Sequence, residues 1–264
     1  MTRQAPVKLS DIICEQALLL GAASTVLYQL ADKGVGLGVA EHSTTLKRPV
    51  DRLRTTLLYV YMVITGTDDE RAAISRMVNK AHAPVRSEGR YSAFDPELQL
   101  WVAATLAHNG PFIYEKVFGP LDEASREQLY RESQILGNAL QVKPEQWPAT
   151  LADFEEYWEK KLETLESDPA VQVYVQRLLN AEQRFLLLRP LAELEDLVAR
   201  GNVEPRVREV LGLTWTPIDQ VRYDLFWKIF PPIYRATPRI LRQLPGRLIV
   251  RDTRRRMRRG SRVI

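Results

Sequence analysis

The chain has 264 residues, 45% of them hydrophobic, enough to bury one sizeable core, and its 13 glycines and 16 prolines form no Gly/Ser-rich or low-complexity stretch that would link separate units. The net charge of +4 is uneven, because residues 251–264 hold seven arginines and one aspartate, leaving −2 on the other 250. The single cysteine, Cys14, excludes an internal disulfide and any zinc or iron–sulfur centre built from several thiolates.

Residues 12–31 are apolar at helical spacing, with Ile12, Ala17, Leu20, Ala23, Leu27 and Leu30 on the pattern, and predict a first helix. The small residues Gly21, Ala22, Ala23 and Ser24 would let a neighbouring backbone or a flat ligand come close. Asp11, Glu15, Asp32 and Lys33 bracket and interrupt this run, so it reads neither as a secretory leader nor as a membrane span, which needs about 20 apolar residues. With the lone cysteine, that points to the cytoplasm. Gly34, Gly36 and Gly38 predict a loop, with Glu41 and His42 at its mouth.

A second helix is expected from Pro49 to Gly66 with Leu53, Leu57, Val60 and Ile64 inward, and Arg52 and Thr56, four apart, on one side. A third runs from an Asp68 cap to His82 and stops before Pro84. Asp95 and Pro96 start a fourth, which Gly110-Pro111 is expected to break or kink. Further helices are expected at 122–140, from a Thr150 cap to about 166, and at 169–188, 191–200, 204–211 and 217–229. No convincing strand alternation occurs, so the fold is read as all-α: one multi-helix domain over 1–250 and an Arg-rich tail over 251–264.

Only His42, His82 and His108 offer imidazoles, and no H-x-x-x-H or H-E-x-x-H spacing sets two on one helical face. A site with a single histidine ligand is the simpler option. Heme needs one protein ligand, an apolar slot, and basic or hydroxyl donors for its propionates. His82 beside an apolar stripe, with Arg52 and Thr56 on an earlier helix, meets that description. Residue types alone leave a plainer alternative open: a hydrogen-bonded structural histidine, a surface arginine and a back-bonded threonine. The aromatic-rich last third, including Trp147, Trp158, Trp215, Tyr223 and Trp227, is read as core and not as a ligand cage. Cys14 is read as a buried small hydrophobe, and His42 and His108 as hydrogen-bonding or surface residues.

The ordered blocks Gly38-Val39-Ala40-Glu41-His42-Ser43, Arg52-Leu53-Arg54-Thr55-Thr56, His82-Ala83-Pro84-Val85, Asp95-Pro96-Glu97-Leu98, Trp101-Val102-Ala103-Ala104-Thr105-Leu106 and Leu211-Gly212-Leu213-Thr214-Trp215 resemble the family of the oxygenase MpaB and the rubber oxygenase latex clearing protein. The resemblance implies helix packing loosely like that of globins, with a slot between helices for a b-type heme. It also implies use of dioxygen on an isoprenoid-like or other hydrophobic alkene substrate. His82 would be the axial iron ligand, Arg52 and Thr56 would lie near the heme or the oxygen, and Glu41 would be a distal acid or base. Two positions depart from the family pattern: Thr55 stands where a basic residue is usual, and Ala103 where a histidine is common. The rival readings are a heme-free helical module that binds a lipid, an isoprenoid or a partner helix, and a heme-bearing sensor or carrier. For the tail, Arg251 to Arg262 would suit peripheral contact with an anionic membrane. A solvated helix end is the plain alternative, and nothing else in the chain supports nucleic-acid binding.

Overall fold

The structure, a computed structural model, describes residues 5–179 and 189–259. In chain order the helices are α1 (Leu9–Ile12), a 3₁₀ segment (Gln16–Gly21), α2 (Ala22–Leu30), α3 (Lys33–His42), α4 (Pro49–Thr65), α5 (Asp68–His82) and α6 (Pro96–Phe118). They continue with α7 (Glu123–Ser133), α8 (Ile135–Asn138), α9 (Leu151–Thr164), α10 (Pro169–Leu179), α11 (Arg189–Gly201), α12 (Pro205–Val210), α13 (Pro217–Ala236) and α14 (Arg239–Arg258). Between α5 and α6 lies a small antiparallel hairpin of β1 (Arg86–Ser87) and β2 (Tyr91–Ser92), turned at Gly89 with φ +69°. The fold is all-α. The part of the expected 169–188 helix beyond Leu179, and Arg262 of the tail, lie outside the described residues.

The longest helix, α6, sits at the centre and packs against the 3₁₀ segment, α2, α8 and α13. Asp95 caps it by accepting from the backbone N–H groups of Glu97 and Leu98, and Pro96 occupies the first turn where its missing donor costs nothing. It then runs unbroken through Gly110-Pro111 to Phe118, which corrects the expected break. Packing on several sides outweighs the helix penalty of a single proline, about 3 kcal/mol. The small residues after Leu20 do admit a close neighbour, and that neighbour is α6. The amide nitrogen of Asn109 lies 2.7 Å from the Gly21 carbonyl, 2.9 Å from the Ser24 hydroxyl and 2.7 Å from the Thr25 hydroxyl.

Three other expectations need correction. Residues 12–31 do not form one helix, because Glu15 adopts an extended conformation and turns a buried carboxylate toward the C-terminal helices. There it accepts from the Tyr234 hydroxyl (3.0 Å) and the Gln243 amide (2.8 Å) and pairs with Arg242 (3.4 Å). Residues 34–38 are helical and not a loop. Asp32 caps α3 through the N–H groups of Gly34 and Val35, and a Cβ on Gly36 would sit 2.7 Å from the Leu30 carbonyl and 2.9 Å from Val171. The glycines are thus explained by close packing, worth more here than about 1 kcal/mol of lost helix propensity each. Finally, α13 continues through Pro231-Pro232 to Ala236, and the segment after Pro238 forms one helix, α14, that runs through residue 250 to Arg258.

The aromatic third packs as core at Trp147, Trp158 and Tyr223, and Cys14 is buried. His108 is not a surface residue. Its ring stacks on Trp158 with centroids 3.9 Å apart and planes at 10°, with Phe112 on the other flank at 6.0 Å. Burial pushes its pKa down to about 4.

Two outcomes follow from this packing. Gly36→Ala should destabilise by about 1–3 kcal/mol through overpacking, although alanine is the better helix former. Gly110→Ala, where a Cβ meets open space, should instead stabilise by about 0.5–1 kcal/mol; denaturant melts of the pair measure both signs. The second concerns acid. Between the ordinary histidine pKa of about 6.5 and the folded value of about 4, the unfolded chain binds a proton at His108 that the folded chain does not, so stability falls as pH drops through that window. The loss is on the order of 3 kcal/mol. His108→Phe should flatten the dependence of melting temperature on pH over this range.

Candidate functional site

The C-terminal end of α5 places His82. Thr67, one residue before the expected cap, starts this helix with a reciprocal capping box to Glu70, and three acidic residues occupy the first turn. Pro84 ends it, since proline brings no backbone donor for a further turn, while Ala83 just before it keeps helical angles (φ −51°, ψ −40°). The Val85 N–H then donates to the His82 carbonyl at 2.8 Å, turning the chain into the hairpin.

The His82 ring is partly buried, and its Nδ1 atom is shielded from solvent with no hydrogen-bond partner. Burial, and secondarily the positive charge of Arg52, lower its pKa below the ordinary value. At neutral pH the imidazole is uncharged with a lone pair available, the form in which it ligates a metal. Among the described residues Arg52 makes no ion pair, so its guanidinium remains a free cation on the exposed half of α4. Thr56 is also exposed and its hydroxyl donates to the Arg52 carbonyl at 3.0 Å, leaving its oxygen lone pairs as acceptors. Leu53, expected inward, is 44% exposed, and Val50 is 76% exposed. The start of α4 therefore carries uncovered apolar side chains next to its cation.

A second group forms where α3 meets the hairpin. The Tyr91 hydroxyl donates to the Glu41 carboxylate and lies 3.0 Å from His42 Nε2, while Arg90 pairs with Glu41 at 2.9 Å. With its proton committed to Glu41, the Tyr91 oxygen accepts from His42, which sets the Nε2–H tautomer. The Tyr91 hydrogen bond, and with it the Arg90 charge, holds the Glu41 carboxyl below the usual carboxylate range. Burial and the neighbouring carboxylate push Tyr91 up to about 12. Glu41 is thus a charged carboxylate at neutral pH, and the same two partners that hold its charge make it a weaker base. Tyr91 and Arg90 had no role assigned from the sequence, and nothing in the linear string says that Tyr91 reaches back to Glu41.

The Arg52 charge acts on His82 only as a secondary influence on its pKa, while Thr56 bonds directly to the Arg52 carbonyl. Among the described residues no hydrogen bond or ion pair joins Glu41 to these three. The link is through packing: a Cβ on Gly38, one turn before Glu41, would lie 3.4 Å from the Tyr91 ring and 3.5 Å from Val85. Two open clefts of about 650 and 660 Å³ lie elsewhere, one beside Arg90, Tyr91 and Lys161 and one along α14, and neither is lined by His82. Ala103 is buried in α6 against Gly137 of α8, so the departure there belongs to a helix contact. Thr55 bonds back to the Asp51 carbonyl at 2.7 Å. Among the described residues no three His, Cys, Asp or Glu side chains gather to hold an ion. No helix among them is long and apolar enough to cross a membrane.

Residues 13–231 match the family described as ER-bound oxygenase mpaB/B'/rubber oxygenase, catalytic domain. The chain belongs to this family. It is also similar to an uncharacterized protein of Mycobacterium bovis and to one of Mycobacterium tuberculosis, each 33% identical over 255 residues that cover 93% of this chain and all of the relative. No solved structure matches it. Membership in the MpaB and rubber oxygenase family supports an oxygenase enzyme, with dioxygen and a substrate as its partners. The match ends near the close of α13, so α14 lies beyond it.

A buried, unpartnered nitrogen costs about 1–3 kcal/mol, which an apolar side chain of similar size would not incur. In protein prepared without heme, His82→Leu should therefore raise the melting temperature by roughly 2–4 °C. A lowered melting temperature would mark His82 as a structural residue.

Proposed function

We propose that this chain is a heme b-dependent oxygenase acting on a hydrophobic, isoprenoid-like or alkene substrate with dioxygen, and that His82 would hold the heme iron. The observation that carries the reading is the His82 imidazole: neutral, withdrawn from water at Nδ1, and, among the described residues, without a hydrogen-bond partner there and under the charge of an arginine that makes no ion pair. Its chemistry fits the group, since heme iron takes one neutral imidazole and heme propionates take guanidinium and hydroxyl partners. When bound, the heme would supply the iron at which dioxygen is activated. Within the chain, His82 would hold the iron, and Arg52 would pair with a propionate or stabilise negative charge developing on oxygen. Thr56 would offer its hydroxyl beside Arg52. Val50 and Leu53 would give an apolar substrate a surface that excludes water. Glu41, kept charged by Tyr91 and Arg90, would accept a proton from the substrate.

Purified protein reconstituted with heme should show a Soret band that shifts strongly or disappears in His82→Ala. Arg52→Met should keep the band but consume oxygen with a long-chain alkene at least about tenfold more slowly, the loss expected for one charge-stabilising donor. Absence of any Soret band would favour a heme-free lipid-binding module. A normal band without oxygen uptake would favour a sensor or carrier.

A further inference from the structure

Helices α13 and α14 leave large apolar side chains in water in a regular pattern. On α13, Ile218, Val221, Leu225, Ile229 and Ile233 recur three or four residues apart and are each 50–71% exposed. At 1.5 Å per residue they form one stripe about 22 Å long. On α14, Ile240, Leu244 and Leu248 continue the same spacing, and Arg251, Arg255 and Arg258 extend it along the same face. Leu248 and these arginines border one cleft, so they do share a side. Isolated exposed leucines need no explanation, but a contiguous stripe on each of two consecutive helices marks a surface that meets something apolar.

The opposite side of α14 is fixed, which leaves this face no way to turn inward. Arg242 pairs with the buried Glu15, and Arg254 pairs with Glu70 at 3.3 Å and donates to the Thr65 carbonyl at 2.6 Å. Gly246 packs on the backbone of Cys14, where a Cβ would come within 3.1 Å. Arg242 and Arg254 are thus paired with carboxylates of the body, whereas Arg251, Arg255, Arg258 and Arg259 make no ion pair among the described residues. Asp252, the acid among them, is taken by Arg256 at 2.7 Å.

We infer that α13 and α14 form a docking face for an anionic lipid bilayer: the apolar stripes enter the interface and the free arginines engage lipid phosphates. A helix that is apolar along one face and cationic beside it lies in the interfacial plane, and each arginine near an anionic surface adds to the attraction. A second copy of the chain suits this face poorly, because a twofold contact would set the arginine cluster near its like. This surface is distinct from the His82 region, and the inference stands whether or not heme binds there.

Full-length protein should co-sediment with vesicles of phosphatidylcholine and phosphatidylglycerol at least about tenfold more strongly than with phosphatidylcholine alone, and high salt should erase the preference. Leu244→Asp with Leu248→Asp should weaken binding to both vesicle types at least about tenfold while leaving the circular dichroism melt unchanged. Ile229→Gln with Ile233→Gln is a milder pair on α13 and should act the same way. Arg255→Gln, Arg258→Gln and Arg259→Gln together should remove only the preference for phosphatidylglycerol. No sedimentation with either vesicle would overturn the inference. So would undiminished binding by both apolar variants, which would leave a purely electrostatic site for any polyanion. A stable dimer in solution that Ile229→Gln with Ile233→Gln dissociates would equally overturn it, and would assign the face to self-association.

Discussion

The packing of α6 against helices on several sides is the constraint on which the other helices depend. Polar side chains on its buried positions must find partners there. Asn109 meets the Gly21 carbonyl and the hydroxyls of Ser24 and Thr25, and Thr105 takes a hydrogen bond from Gln29. These contacts draw α2 so close that only a glycine fits at position 21. With α2 in place, the buried indole of Trp101 donates to the Tyr28 carbonyl and the aromatic layer of Trp158, His108 and Phe112 closes over it. The remaining helices fill in around that frame.

Glu15 plays the corresponding part for the C-terminal helices. A carboxylate taken out of water costs several kcal/mol unless it is paired and hydrogen-bonded, and this one recruits Tyr234, Gln243 and Arg242 from α13 and α14. The same contact breaks the N-terminal helix and sets which side of α14 faces outward. The apolar and cationic surface of the last two helices is therefore a consequence of one buried charge near the other end of the chain.

The region around His82 shows the opposite economy. Among the described residues its Nδ1 atom has no hydrogen-bond partner and the Arg52 guanidinium has no ion pair, while Val50 and Leu53 stand in water at the start of the same helix as Arg52. The buried nitrogen disfavours the folded state, and the exposed groups beside it add nothing to stability. Their concentration at one place, on the motif blocks that this chain shares with oxygenase catalytic domains, is what separates this histidine from His108. His108 is equally neutral, but its ring is occupied by aromatic stacking.

Much of this was legible from the chain alone, for local reasons. Helical periodicity, the caps at Asp95 and Thr150 and the stop before Pro84 act within a few residues, so the all-α class and most helix starts could be read directly. The motif blocks identified the family and singled out His82, Arg52, Thr56 and Glu41. What tertiary structure decided were the cases in which packing or a distant partner outweighs local preference. Gly34 to Gly38 became helix because Leu30 and Val171 press on Gly36, and α6 passed through Pro111 because it packs on several sides. The lowered pKa of Glu41 came from Tyr91, fifty residues away, and the outward face of α14 from Glu15. A linear string carries no record of such contacts, since their energies depend on which surfaces meet after the chain has folded.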